Sequence, residues 1–250
     1  MERRGWIRRL LAAAAVLLLA AGLGLVVWAS FPHQATPAAE AALVSDQEVR
    51  VEENQPWLTF YPVGESPAAG LVFYPGGRVV PEAYAPLARR IAAQGYLVVI
   101  PEMPLHLAVF RPGAAEDVLA AYPTVDVWAV GGHSLGGAMA ARFAGANPGR
   151  VAGLVLWAAY PPESSDLSGS GLEAVSIYGT RDGLASPGEV LASRDRMPLE
   201  TAFVAVEGGN HAGFGAYGPQ RGDNPADISR EEQAAQVTAA TVELLVRIRE

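Results

Sequence analysis

The stretch VWAVGGHSLGGAMAARFAG, residues 127–145, passes from an apolar segment through a glycine-rich turn into an alanine-rich helical pattern. Small residues are what a tight turn needs, so Ser134 could simply be one of them. Residues 132–136, GHSLG, also fit the pattern G-x-S-x-G, in which a strained strand-to-helix turn exposes a serine hydroxyl. The flanking sequence predicts the strand and the helix that this pattern requires, over Val125–Val130 and Ala138–Ala144.

Short runs rich in β-branched and aromatic residues alternate with helical patterns along the rest of the chain. The predicted strands are VRVEE, WLTFYP, GLVFYP, YLVVIP, VDVWAVG, GLVLWAA, AVSIYG and TAFVAVEG. Several are continuous apolar runs, as expected of strands buried on both faces of a parallel sheet. The order predicts an α/β fold with a mostly parallel, eight-stranded sheet and helices on both faces. Ser229 and Glu232 have capping-box spacing, which predicts a closing amphipathic helix after them.

A serine hydroxyl is a weak nucleophile near neutral pH, so catalysis would require a histidine base and an acid that orients it. The acid is expected before the histidine in a sheet of this kind. Asp182, in YGTRDG, follows one predicted strand, and His211, in GGNHAGFG, follows the next. Functional groups of open α/β sheets lie past the carboxyl ends of strands. Ser134, Asp182 and His211 are therefore the candidate catalytic residues.

The motifs GGHSLGG, YGTRDG and GGNHAGFG resemble those of the α/β-hydrolase superfamily, in the same order and over most of residues 48–250. The chain is similar in particular to a compact group with a YPGG loop and little or no lid. The resemblance implies an acyl-enzyme mechanism on esters, thioesters or related carbonyl compounds.

A tetrahedral intermediate needs two donors for its negative charge. The main-chain N–H of Leu135 is the first candidate, since it begins the helix after the serine. The second is expected in the YPGG loop, at the N–H of Gly77, with Gly76 or Arg78 as alternatives.

The segment where a helical lid would be inserted is short, because only residues 161–173 separate two predicted strands. We therefore expect no cap domain and an open site. A serine at residue 134 argues against hydrolases with a carboxylate nucleophile. The chain contains no cysteine, which excludes disulfides, cysteine-ligated zinc and a thiol nucleophile such as that of dienelactone-type thiol enzymes.

Four arginines precede an uncharged apolar run, Leu10–Ala29, at the N-terminus. Its length favours an uncleaved membrane anchor, but small residues near Ser30 leave a cleaved signal open. Either would place the rest of the chain outside the cytoplasm. We expect residues 1–30 to be this segment, residues 31–47 a linker, and residues 48–250 one α/β-hydrolase domain.

For other polar residues, the sequence gives less support for a direct role in the site. His133 should point away from the serine hydroxyl and pack or support it, His106 fits a loop or the core, and Glu102 could reach the site because it follows a strand. The segment RGDNPADIS, residues 221–229, has acidic residues without calcium-loop spacing, so it is expected to be a structural loop. The formal net charge of −8 argues against nucleic acid as a partner.

The sequence thus predicts a serine hydrolase that cleaves carboxylic esters or thioesters, small or lipid-like, and that uses no metal or organic cofactor. An acyltransferase on the same three residues is the alternative enzyme. A membrane-tethered binding protein on an inactive hydrolase scaffold is the alternative from another class. The sequence predicts neither the physiological substrate nor the oligomeric state.

Overall fold

The structure is a computed structural model that describes residues 2–54, 56–64 and 66–250. The chain divides into a unit that ends at Pro32 and a second unit, His33–Glu250. The first unit is helix α1 (Glu2–Ala29), whose segment Leu10–Ala29 is apolar and long enough to cross a membrane. An apolar N-terminal helix of this length is compatible with a signal peptide or a membrane anchor.

The second unit is built on one eight-stranded sheet. Its strands are β1 (Val49–Asn54), β2 (Trp57–Pro62), β3 (Gly70–Tyr74), β4 (Leu97–Pro101), β5 (Trp128–His133), β6 (Gly153–Trp157), β7 (Glu173–Gly179) and β8 (Ala202–Val206). The spatial order is β1-β2-β4-β3-β5-β6-β7-β8. Strand β2 is antiparallel to β1 and β4, and the other neighbours are parallel. The predicted mostly parallel sheet is confirmed.

Helices cover both faces of this sheet, as predicted. They are α2 (Pro37–Ala41), α3 (Ala85–Ala92), α4 (Ala114–Ala121), α5 (Leu135–Ala146), α6 (Pro187–Ala192) and α7 (Arg230–Arg247). One apolar core includes residues of α3 and α7, and the other includes residues of α4 and α5. Helix α7 begins with the predicted capping box, in which the Ser229 side chain accepts from the main-chain N–H of Glu232.

The strand before Ser134 begins three residues later than expected. The predicted bounds Val125–Val130 are wrong at both ends, although residues 128–130 are strand as predicted. Val125 lies in a turn, where its N–H donates to the Tyr122 carbonyl at 3.1 Å and its carbonyl accepts from the indole of Trp128 at 2.9 Å. Strand β5 instead runs to His133, and α5 begins at Leu135. Ser134 is therefore the single residue between strand and helix.

Two connecting segments bear on the site. Residues 158–172, between β6 and β7, contain no helix, in accord with the expected lack of a cap. Residues 33–46, which we call the leading segment, contain α2, and Ala39 there is fully buried. The boundaries at residues 30 and 47 stay a prediction.

Candidate active site

Ser134 lies in a strained turn at the carboxyl edge of the sheet. Its φ of 52° and ψ of −123° place it outside the regions that L residues normally adopt. The N–H of Ser134 donates to the Trp157 carbonyl at the end of β6, at 3.0 Å. Such strain is retained where the surroundings enforce it, which is common at functional sites.

Two glycines allow this turn, for different reasons. A Cβ at Gly132 would lie 2.5 Å from the carbonyl carbon of Gly136, because strand and helix cross closely there. A Cβ at Gly136 would lie 2.2 Å from the carbonyl oxygen of Tyr74, at the end of β3. The second contact is with a neighbouring strand, so Gly136 lets the start of α5 approach the sheet.

Asp182 and His211 form a buried pair past the ends of β7 and β8. Asp182 Oδ2 is 2.8 Å from His211 Nδ1, and the two side chains are 0% and 2% exposed. The other carboxylate oxygen, Oδ1, accepts from the main-chain N–H groups of Leu184 and Ala185 at 2.8 and 2.7 Å. Both oxygens are satisfied, which a buried carboxylate requires. Nδ1 is thus occupied, and Nε2 is the ring nitrogen left for a proton transfer.

The ring of His211 approaches the serine turn through His133, the residue before Ser134. The two imidazole centroids are 4.5 Å apart. Among the described residues, no hydrogen bond joins Ser134 Oγ to His211. Hydrogen bonds between a nucleophile and its base are often long before substrate binds. The structure therefore brings Asp182 and His211 into contact and places the serine turn beside them.

The two candidate oxyanion donors are neighbours. A Cβ at Gly77 would lie 3.2 Å from Leu135 Cδ2, so the YPGG loop packs against the first residue of α5. The N–H of Gly76 is already bonded to the Tyr84 hydroxyl at 2.9 Å, and that of Arg78 to the His106 carbonyl at 2.7 Å. Both alternatives to Gly77 are thus occupied, which favours Gly77 as the second donor.

His133 is fully buried and makes a hydrogen bond away from the serine, at 2.9 Å from its Nδ1 to the hydroxyl oxygen of Tyr84. Since Gly76 N–H already donates to that oxygen, the hydroxyl proton is available for Nδ1. Burial holds the pKa of His133 well below its ordinary value of 6.5, and the nearby His211 ring acts in the same direction. The expected packing and supporting position of His133 matches this geometry.

An apolar cavity of about 270 Å³ opens beside the serine. Its lining contains no charged side chain and consists of Ser134, Leu135, Ala138, Ala158, Ala159, Tyr160, Leu184 and Ala185. Glu102, which was expected to be able to reach the site, does not line this cavity. It lines a smaller one with Trp57 and Glu82. The cavity can accept an uncharged, apolar group next to the Ser134 hydroxyl.

Residues other than glycine with positive φ concentrate around this site. In the described part of the chain they are Arg78, Leu105, His106, Ser134 and Ala158. Arg78 follows the candidate donor Gly77, His106 accepts from Arg78, and Ala158 lines the cavity. His106 thus reaches the site through its main chain, in a loop as expected. The sequence signalled only Ser134, through its motif, because arginine, leucine and alanine rarely adopt positive φ and a lone histidine is a weak indication of it.

Asp223 connects two turns of the site, a role that the sequence did not indicate. Its Oδ1 accepts from the N–H groups of Gly183 and His211, at 3.1 and 3.3 Å, and its Oδ2 from that of Ala212, at 2.8 Å. One carboxylate thereby connects the Asp182 turn with the His211 turn. Residues 221–229 are a loop, as expected, and no group of metal-binding side chains is found in the described residues. The only sequence signal was an aspartate in a turn-rich segment.

Comparison with known proteins agrees with this architecture. The sequence model of the Alpha/beta hydrolase family matches residues 70–235. The chain belongs to the α/β-hydrolase family. Membership in this family indicates hydrolase activity on a small-molecule substrate. A search of curated protein sequences finds no match.

Two solved structures have the fold of this α/β hydrolase. One is described as a dienelactone hydrolase from Klebsiella pneumoniae subsp. pneumoniae, with a TM-score of 0.59, 16% identity, and coverage of 78% of this chain and 94% of that chain. The other is Est1E from Butyrivibrio proteoclasticus, with a TM-score of 0.60, 10% identity, and coverage of 80% and 99%. At such identities the likeness concerns the fold alone.

Proposed function

We propose that this α/β hydrolase is a serine hydrolase that cleaves carboxylic esters or thioesters through an acyl-enzyme intermediate. The observation that carries the proposal is the buried Asp182–His211 pair, 2.8 Å apart, at the sheet edge where Ser134 occupies its strained turn. A buried carboxylate bonded to Nδ1 fixes the imidazole orientation and stabilises its charged form during catalysis.

The chemistry assigns one step to each group. His211 Nε2 takes the proton of Ser134, and the serine oxygen attacks the acyl carbon. The N–H groups of Leu135 and Gly77 stabilise the resulting oxyanion, and the alcohol or thiol leaves with the proton from His211. A water molecule that gives a proton to His211 then attacks the acyl carbon, the bond to Ser134 Oγ breaks, and His211 returns the proton to the serine oxygen as the acid leaves. No step uses a metal or an organic cofactor.

The cavity beside Ser134 supports an ester with an uncharged group on that side. Its volume is about 270 Å³ and its lining is uncharged. An open cavity without a helix between β6 and β7 is accessible to bulky or lipid-like esters.

The proposed location is the outer side of a membrane. The apolar helix α1 would remain as an anchor, or be removed as a signal, with the preceding arginines on the cytoplasmic side. In domain terms, we propose residues 1–30 as this segment and a single hydrolase domain after it. Protease protection of the full chain in sealed membrane vesicles tests the orientation, since cytoplasmic exposure of the hydrolase domain would contradict it.

Labelling with a fluorophosphonate probe tests the chemistry. The full chain should be labelled, and Ser134→Ala should not be, because the probe forms a bond only with an activated serine oxygen. Hydrolysis of p-nitrophenyl butyrate should disappear in the same variant. Ser193→Ala is the control and should keep labelling, since the Ser193 hydroxyl donates to the Val190 carbonyl of α6. Absence of labelling in well-folded wild-type protein would exclude a serine hydrolase.

A further inference from the structure

The leading segment, residues 33–46, hydrogen-bonds to the loop that carries the candidate oxyanion donor. His33 N–H donates to the Arg78 carbonyl at 2.6 Å, and Val80 N–H donates to the His33 carbonyl at 3.2 Å. His33 and Val79 thereby form a parallel bridge. Arg78 directly follows Gly77 in the chain.

Arg78 needs such support because its backbone is strained. Its φ is 58°, in a region that arginine rarely adopts and that persists only where the surroundings enforce it. Its N–H is held by the His106 carbonyl and its C=O by His33 N–H. His33 therefore supplies one of the two main-chain bonds that fix the residue next to the donor.

The same segment also reaches the loop that follows His211. Thr36 N–H donates to the Ala216 carbonyl at 2.8 Å, and Ala216 N–H donates to the Ala83 carbonyl at 2.7 Å. Ala83 precedes Tyr84, whose hydroxyl bonds to Gly76 N–H. The His33 ring packs against Tyr217, with centroids 5.4 Å apart. One stretch of chain thus contacts the candidate oxyanion loop and the loop after the candidate base.

The far end of the leading segment is fixed by Arg89 of α3. Its Nε donates to the Ala42 carbonyl at 2.9 Å and its Nη1 to Asp46 Oδ2 at 2.6 Å, and Nη2 contacts the Val44 carbonyl. These partners all belong to the leading segment. Together with the buried Ala39, they attach residues 33–46 to the hydrolase unit along their whole length.

We propose that the leading segment is a positioning element of the active site, so that the functional unit begins at His33 and not at Glu48. The inference rests on the proposed serine-hydrolase function, because it concerns the oxyanion donor and the base of that mechanism. Positioning errors of about 1 Å can cost about 100-fold in rate. Loosening the segment should therefore lower kcat more than it changes KM.

The decisive pair of variants is Thr36→Pro and Thr36→Ala in the full chain. Thr36 has φ −80° and ψ 162°, which proline can adopt, so Thr36→Pro deletes the N–H that binds Ala216, and its ring carbon displaces the Ala216 carbonyl. Thr36→Ala keeps that N–H and is the matched control. We expect Thr36→Pro to lower kcat on p-nitrophenyl butyrate about tenfold with KM changed less than twofold, and Thr36→Ala to stay within twofold of wild type.

Amide hydrogen exchange gives a second measurement that does not depend on turnover. Peptides covering residues 76–80 and 212–217 should exchange faster in Thr36→Pro than in Thr36→Ala. If Thr36→Pro does not fold, Arg89→Met becomes the test variant, because the Arg89 side chain bonds to the leading segment. Arg90→Met is then the matched control, because Arg90 pairs with Glu231 instead. Arg89→Met should lower kcat several-fold, and Arg90→Met should not.

The outcomes separate this inference from the proposed function. Wild-type protein that is neither labelled nor active would contradict both. Active wild-type protein with a Thr36→Pro variant of unchanged kcat and unchanged exchange would overturn only the role of the leading segment. A lower melting temperature with unchanged kcat would assign the segment to stability alone and would also overturn the inference.

Discussion

Replacing Tyr84 with phenylalanine should destabilise the hydrolase unit through two buried polar groups. The Tyr84 hydroxyl accepts from Gly76 N–H at 2.9 Å and contacts His133 Nδ1 at 2.9 Å, and all three residues are buried. Without the hydroxyl, one donor and one acceptor would be left unpaired. Each unpaired buried group costs about 1–3 kcal/mol, so the free energy of unfolding should fall by about 2–6 kcal/mol.

Tyr217→Phe is the matched control for this substitution. The Tyr217 hydroxyl donates to Gln220 Oε1 at 2.9 Å in a partly buried position, so its loss should cost about 0.5–1.5 kcal/mol. Urea unfolding of wild type and both variants in mild detergent, followed by tryptophan fluorescence, measures the difference. Tyr84→Phe should also lower kcat, because Gly76 adjoins the candidate donor Gly77. If Tyr84→Phe lowered the free energy of unfolding by no more than Tyr217→Phe does, the two buried groups would not have the predicted cost.

Four further predictions concern single positions. Asp182→Asn should lower kcat about 10³–10⁴-fold, since the amide cannot stabilise the imidazolium, and its circular dichroism spectrum should be unchanged. A variant that retained a tenth of wild-type kcat would contradict the proposed triad. Asp223→Ala removes the acceptor of four N–H groups and should lower both kcat and the melting temperature. An unchanged kcat would argue against its connecting role. Gly136→Ala should give no soluble folded protein, whereas Gly188→Ala, whose nearest atom would be 4.0 Å away, should fold normally. The free energy of unfolding should decrease as the pH falls below about 6.5, because the pKa of His133 is depressed in the folded protein and only the unfolded chain binds the proton. The slope should be up to about 1.4 kcal/mol per pH unit. Urea titrations at pH 7, 6 and 5 measure this slope, which should be smaller in His133→Asn.

The sheet was predictable because its strands carry a strong local signal. Apolar runs such as those of β3, β4 and β6 are buried at every residue, so composition alone indicates their place in the sheet. The candidate nucleophile, acid and base could be proposed because each follows a predicted strand, although β8, before His211, is only partly buried over most of its length. The error at β5 arose because Val125 and Trp128 are both apolar, whereas the hydrogen bonds of Val125 to Tyr122 and to Trp128 place it in a turn.

The supporting contacts could not be predicted from local sequence. Tyr84, Asp223 and the leading segment act through atoms that are distant in the chain, often through main-chain groups that every residue type possesses. The segment 33–46 is rich in alanine and polar residues, and its attachment depends on hydrogen bonds to Arg78 and Ala216. A pattern search detects side-chain types, whereas these contacts are set by three-dimensional position.

The packing of Gly76, Tyr84 and His133 has an evolutionary consequence. A Cβ at residue 76 would lie 2.7 Å from His133 Nδ1 and 2.9 Å from the Tyr84 hydroxyl oxygen. The histidine–tyrosine pair and the glycine therefore constrain one another, and a single replacement of any one would leave a clash or an unpaired group. In an alignment of homologues, the three positions should covary, with larger residues at 76 accompanied by smaller ones at 84 or 133.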